Sequence, residues 1–202
     1  MLLKVCGMRD EANIKGLIAL TPDFIGFIFY PKSKRFVGEN FIMPLVPISI
    51  KKVGVFVNEA LPNLLSLVKK HELDFVQLHG NETVEYVQEV KMNGIKILKV
   101  FSVSDVLPIQ SMKKYLSLVD YFLFDTKTPE YGGSGRKFDW SILKQYDLNK
   151  PFFLSGGVAL SDVDDIQGLN LKNLIAIDVN SKFENSPGNK NLALVKELKV
   201  KI

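Results

Sequence analysis

Only a handful of residues in this 202-residue chain could do chemistry, and they are far apart in sequence. Cys6 is the single cysteine, set between the apolar run of "LLKVC" and a glycine. With no internal disulfide partner, it can pack as a small hydrophobe. It can also serve as a base or nucleophile if cations or a helix N-terminus lower its thiol pKa. Asp125 closes another apolar run, "YFLFD"; a carboxyl there can cap a turn or carry a proton to a substrate. Arg35, in "YPKSKRFV", has a guanidinium fork that matches a carboxylate, although most arginines are simply solvated. His79, in "VQLHG", can donate a hydrogen bond, exchange a proton or sit in a turn. Gly156 and Gly157 in "FFLSGGV", and "IDVNSKFENSPG" with Asp178, Asn180 and Ser181, bring backbone that can approach an anion closely.

Other chemistries lack their signatures. There are two His, one Cys, no HExxH and no CxxC, which argues against a structural or catalytic zinc site. Neither GxxxxGK[ST] nor a GxGxxG after the first apolar run is present, so nucleotide cofactors have no support. The formal charge of +4 and pI of about 9.0 suit an anionic small substrate. Lysines are dispersed, with pairs beginning at Lys51, Lys69 and Lys113 and no basic block, which reads as solvated surface and not a nucleic-acid face. The N-terminus has no signal-peptide pattern, and no apolar run approaches the roughly 18 residues of a membrane span. Together with a single Cys, this leads us to expect a cytoplasmic protein with no membrane partner.

The elements that must position these residues alternate along the chain. Short runs rich in Val, Ile and Phe fall at 2–6, 23–29, 51–57, 74–78, 95–101, 120–125, 151–157 and 173–180. Each precedes a stretch with helical spacing, such as Leu61, Leu64, Leu65 and Val68. The second such stretch is weak and contains Pro44 and Pro47. Continuously apolar strands between amphipathic helices imply a parallel sheet covered by helices. Eight units predict an α/β fold, a closed (β/α)₈ TIM barrel formed by residues 1–202 as one domain; a doubly wound open sheet is the rival. Either fold puts the site at the carboxyl ends of the strands, where Cys6, Pro31–Val37, Asn58, His79, Ser102, Asp125, Gly156–Gly157 and Asp178–Ser181 fall. The stretch after Asp125 carries Gly132, Gly133 and Gly135 and is long for such a connection, as a mobile cover or a plain surface loop would be.

Taken jointly, "KVCGMRD", "GFIFYPKSKRFV", "VGVFVNE", "VQLHGNE", "FLFDTKTPEYGGSGRKFDW", "FLSGGV" and "IDVNSKFENSPGNK" resemble the phosphoribosylanthranilate isomerase family, in order and over nearly the whole chain. The resemblance implies a cofactor-free Amadori rearrangement of N-(5-phosphoribosyl)anthranilate to 1-(2-carboxyphenylamino)-1-deoxyribulose 5-phosphate, in tryptophan biosynthesis, by a monomer or homodimer. It implies that Asp125 is the general acid and Cys6 the general base. Arg35 would hold the anthranilate carboxylate, His79 and Asp178 would line the sugar site, and Gly156, Gly157, Asn180 and Ser181 would hold the phosphate. No metal is implied.

The chain departs from the family pattern after the eighth strand. Asn180 stands where the family usually has Ser, Lys182 where it has Gly, and Asn191 where it has Asp. Since Lys does not take φ > 0 as Gly does, either a shifted backbone or an added positive charge is implied near the phosphate; Asn191 weakens a capping role there. Two other readings of the same barrel remain: an indole-forming synthase, which would need a catalytic Lys–Glu set, with Lys4 and Lys99 in strands, or a non-catalytic phosphate binder.

Overall fold

The computed structural model describes residues 1–126 and 137–202, so the glycine-containing stretch with Gly132, Gly133 and Gly135 lies outside the described residues. Eight parallel strands close into a barrel in sequence order: β1 (Leu2–Val5), β2 (Phe24–Ile28), β3 (Lys51–Phe56), β4 (Phe75–Leu78), β5 (Lys96–Val103), β6 (Tyr121–Thr126), β7 (Phe152–Leu154) and β8 (Leu174–Val179). Closure is made by β1 against β8, with Lys4 opposite Asp178. The open-sheet alternative is thereby excluded.

Side chains alternate across each strand, and this decides what faces the lumen. On β1, Leu3 and Val5 join the large core beneath the helices, which leaves Lys4 and Cys6 facing inward. Inside the barrel, Phe24, Val53, Phe75, Leu98, Leu123, Phe153 and Ala176 form a separate buried cluster. Its rings meet edge to face, Phe24 against Phe75 at 5.7 Å and against Phe153 at 5.1 Å. The next inward position on several of these strands is polar: Gln77 after Phe75, Asp125 after Leu123, Asp178 after Ala176. The aromatic plug thus closes the lower lumen, and polar groups occupy the carboxyl-end half.

The covering helices are α1 (Glu11–Ala19), α2 (Leu61–His71), α3 (Val84–Met92), α4 (Ile109–Lys113), α5 (Val163–Gly168) and α6 (Leu192–Lys201). The side chain of Asp10 caps α1 through Asn13 N at 2.8 Å. The eight-helix expectation is not fully met. Residues 29–50, between β2 and β3, form turns and irregular chain, since Pro44 and Pro47 lack the N–H a helix would use. Ile42, Leu45 and Ile48 stay exposed as a result. The helix expected over 106–119 shortens to α4, behind Pro108, and the one over 139–146 is a 3-10 turn, Trp140–Gln145. Asn191, expected to weaken capping, instead caps α6 by accepting from Leu194 N at 3.3 Å, as Asn does about as well as Asp. Among the described residues no helix is long and apolar enough to cross a membrane.

Candidate active site

Cys6 follows β1, its N–H donating to Val179 O of β8 at 2.9 Å. Its sulfur lies over Gly26 of β2, where a Cβ would stand 2.7 Å from Sγ, so no larger residue fits there without displacing the thiol. Lys4, on the same face of β1, is completely buried, and its Nζ donates to Asp178 Oδ2 at 2.8 Å. Asp178 Oδ1 is buried without a hydrogen-bond partner among the described residues. Burial alone would lower the Lys4 pKa, but Asp178 and Cys6 beside it raise it above the ordinary value. Burial pushes the Cys6 thiol up, opposed by Lys4 and by Lys190. Burial likewise raises Asp178, held in check by Lys4.

Across the lumen, Asp125 Oδ1 accepts from Thr126 N at 2.8 Å, and Oδ2 lies 3.2 Å from His79 Nε2. Gln77 Nε2 is 3.3 Å from His79 Nδ1. Donation by that amide places the imidazole hydrogen on Nε2, toward Asp125. The loop carrying His79 is braced from below. Glu82 accepts from Asn58 N at 3.0 Å, Gly80 N at 2.9 Å and Lys99 Nζ at 2.8 Å. Lys99 also donates to Leu78 O and Gly80 O, so its three donors are all occupied and none is left for the chemistry an indole-forming synthase would ask of it.

Gly156 follows β7 with φ of +91° and packs under Asp125. A Cβ at 156 would meet Thr126 Oγ1 at 2.4 Å, Thr126 N at 2.8 Å and Asp125 Oδ1 at 3.3 Å. Gly157 also has positive φ, at +72°, and without side chains the two residues let an anion approach the backbone closely. Gly156→Ala should therefore cost about 1–3 kcal/mol of stability and lower turnover by displacing Asp125. Thermal unfolding and steady-state kinetics check both; a variant matching the parent in each would remove Gly156 from the support of Asp125.

Arg35 and Asn180 pack together over Gly7, next to Cys6. Arg35 is not an open fork: Nε donates to Glu184 Oε1 and Oε2 at 2.9 and 3.0 Å, and Nη2 to Oε2 at 2.8 Å. Glu184 also receives Lys190 Nζ at 2.5 Å and Gly188 N at 3.1 Å. Burial would raise its pKa, but Arg35 and Lys190 bring it below the ordinary value. Lys190 Nζ reaches Asn180 Oδ1 at 2.7 Å, so the Asn180 carboxamide oxygen is turned to Lys190. Glu184 and Lys190 lie on a hairpin of β9 (Glu184–Ser186) and β10 (Asn189–Lys190). Ser181 opens a 3-10 turn, Ser181–Phe183, that contains Lys182. Lys182 is not among the positive-φ residues, so the loop takes the side chain without the left-handed backbone a glycine would permit.

The structure thus places the sequence candidates at one end of the barrel and groups them: Cys6 with Lys4 and Asp178, Asp125 with His79 and Gly156, Arg35 with Asn180. Sequence reasoning missed Glu184, Lys190 and Gln77, and named Lys4 only under the synthase alternative. For Lys4 a signal existed, because "KVC" puts the lysine and the thiol two apart on one strand face. For Glu184 and Lys190 none did.

A model of the N-(5'-phosphoribosyl)anthranilate (PRA) isomerase family matches residues 3–200. N-(5'-phosphoribosyl)anthranilate isomerase of Parabacteroides distasonis is 41% identical over 200 residues, covering 97% of this chain and 90% of the relative. That of Phocaeicola vulgatus is 40% identical over 195 residues, covering 96% and 94%. Among solved structures, phosphoribosyl anthranilate isomerase from Thermotoga maritima superposes with a TM-score of 0.83 at 33% identity, covering 100% of this chain and 98% of that one. A phosphoribosyl anthranilate isomerase in complex with reduced 1-(o-carboxyphenylamino)-1-deoxyribulose 5-phosphate has a TM-score of 0.79 at 29% identity, covering 98% and 96%.

Proposed function

This chain belongs to the N-(5'-phosphoribosyl)anthranilate isomerase family, and from that premise we propose how its residues divide the work. The protein is an enzyme of tryptophan biosynthesis, an isomerase that converts phosphoribosylanthranilate to the carboxyphenylamino-deoxyribulose phosphate. The observation that carries the assignment of roles is that Cys6 and Asp125 both face the lumen at the carboxyl ends of β1 and β6, one beside a buried ammonium and the other beside an imidazole.

Asp125 gives its proton to the furanose ring oxygen as the bond to the first ribose carbon breaks and the anthranilate nitrogen lone pair forms the Schiff base. The Cys6 thiolate removes the proton from the second ribose carbon; that electron pair becomes the new carbon–carbon double bond and neutralises the nitrogen. The enolamine then gains a proton at the first carbon and loses its hydroxyl proton, giving the ketone. Acid and base need different surroundings, and they have them. Asp178 Oδ1, buried and unpartnered, is positioned to accept from a sugar hydroxyl. Gly156 and Gly157, with Asn180 and Ser181, take the phosphate. The substrate carboxylate goes to the Nη1 side of Arg35, because Glu184 holds the other edge of its fork.

We read residues 1–202 as one catalytic domain, a monomer or homodimer in the cytosol, where an unpaired cysteine stays reduced. It would act on its small phosphorylated substrate without a nucleic-acid or membrane partner. With freshly made substrate, the anthranilate-type fluorescence should disappear on addition of enzyme and the ketose product accumulate. Binding of a product analogue without turnover would favour a phosphate binder instead. Arg35→Ala should chiefly raise KM while kcat changes little, because a contact made equally in ground and transition states is lost. An unchanged KM would take Arg35 out of the carboxylate subsite.

A further inference from the structure

We propose that Lys4 is the positioning residue of the base: locked in place by Asp178, its ammonium is the fixed counter-charge that the Cys6 thiolate faces. The proposal rests on the reading of Cys6 as the base. Lys4 occupies the middle of an otherwise apolar strand and is fully buried at the position directly before the thiol on the inward face. A lysine is almost never placed so unless it is paired. Among the described residues its one carboxylate partner, Asp178, is on the neighbouring strand β8, in register with it. A salt bridge alone does not require this arrangement, because an apolar pair of similar size would fill the lumen at less cost in desolvation. An anion formed on Cys6 during turnover gives the buried ammonium a use that an apolar residue could not serve.

The groups facing Cys6 from the packed elements are few. From its own strand comes Lys4, from β8 Asp178 and from β10 Lys190; β2 presents Gly26 and Ile28, with Tyr30 just beyond it, and β3 presents Val55, none of them a cation. Lys190 is already held by Glu184 at 2.5 Å and by Asn180 at 2.7 Å. Among the described residues Lys4 donates to a single oxygen, Asp178 Oδ2, and it shares the inward face of β1 with Cys6. Lys4 thus has, among the described residues, two donors beyond its carboxylate and Lys190 one beyond its two acceptors, so Lys4 is the cation with more left for sulfur.

Because Cys6 is the only cysteine, the ultraviolet absorbance of its thiolate can be titrated in the intact protein, with Cys6→Ser as the blank. Lys4→Met should move that titration upward by about 1–3 pH units. It should also lower kcat/KM at neutral pH, with activity recovering as pH is raised, while KM changes less than kcat. Asp178→Asn should move the thiol titration the opposite way, since it removes a negative charge that disfavours the thiolate. Lys4→Arg should keep the titration near that of the parent. Shifts of opposite sign in the two single variants separate charge from loosened packing, which would move both alike. If Lys4→Met is unfolded, the double variant Lys4→Met/Asp178→Asn removes both charges together, and its thiol should still titrate above the parent. An unmoved thiol titration in folded Lys4→Met, or in the folded double variant, overturns the proposal. Full activity of Cys6→Ser would instead overturn the reading of Cys6 as the base, and leaves the thiol titration to judge Lys4 separately.

Discussion

Cys6→Ser should fold, bind a product analogue and lose about 10²–10⁴-fold in turnover, the range a general base contributes. Serine is the sharper substitution than alanine. It keeps the volume over Gly26, where the sulfur is packed closely enough that a Cβ would come within 2.7 Å, yet a hydroxyl does not ionise in the range where a thiol does. If Cys6 were only a small hydrophobe of the barrel top, packed with Ile28 and Val55, Cys6→Ser would cost stability and spare turnover. Cys6→Ala isolates the opposite case, loss of both atom and base. Unfolding curves together with fluorescence-based kinetics on the two variants separate the explanations, and a near-normal kcat in Cys6→Ser would end the assignment. The direction of pH dependence follows from the burial that pushes this thiol up. Turnover limited by the thiolate should rise from neutral toward alkaline pH.

The scaffold of this site was legible because strand alternation is a local property. Apolar runs marked all eight strands, and their carboxyl ends fall where the candidate residues sit. Even the absence of a second helix was foreshadowed by Pro44 and Pro47. The charge network was not legible, because it is built from residues distant in sequence. Lys4 meets Asp178 across 174 residues and Arg35 meets Glu184 across 149. Nothing in "KRFV" foretells that half of the guanidinium is bound before any substrate arrives. Nothing in "SPGNK" foretells that Lys190 will be buried and shared between Glu184 and Asn180. Spacing reports which residues share a face; only barrel closure tells which faces meet. The Lys182 substitution shows the converse, since the rule that Lys avoids φ > 0 held, and the loop answered with a 3-10 turn that does not need it.

Asp125→Asn should lose about 10²–10⁴-fold in kcat with KM little changed, and its defect should differ in kind from that of Cys6→Ser. The amide keeps the shape of the carboxyl and an oxygen to accept from Thr126 N, a bond now 2.8 Å long, so the loop over Gly156 should stay in place. It has no acidic proton for the ring oxygen. Toward His79, now 3.2 Å from Oδ2, an amide nitrogen could meet the imidazole only by inverting its tautomer. Ring opening would therefore stall before the Schiff base forms, whereas in the Cys6 variant the ring opens and the proton on the second carbon is not removed. Hydride trapping discriminates between the two. With Cys6→Ser, borohydride-type reduction should capture open-chain Schiff base faster than in buffer alone; with Asp125→Asn it should not. Hydrogen exchange with solvent at the second carbon should be lost in both. If Asp125→Asn traps Schiff base as readily as Cys6→Ser, the acid that opens the ring is another group, and His79, the residue in contact with Asp125, becomes the one to test by His79→Gln.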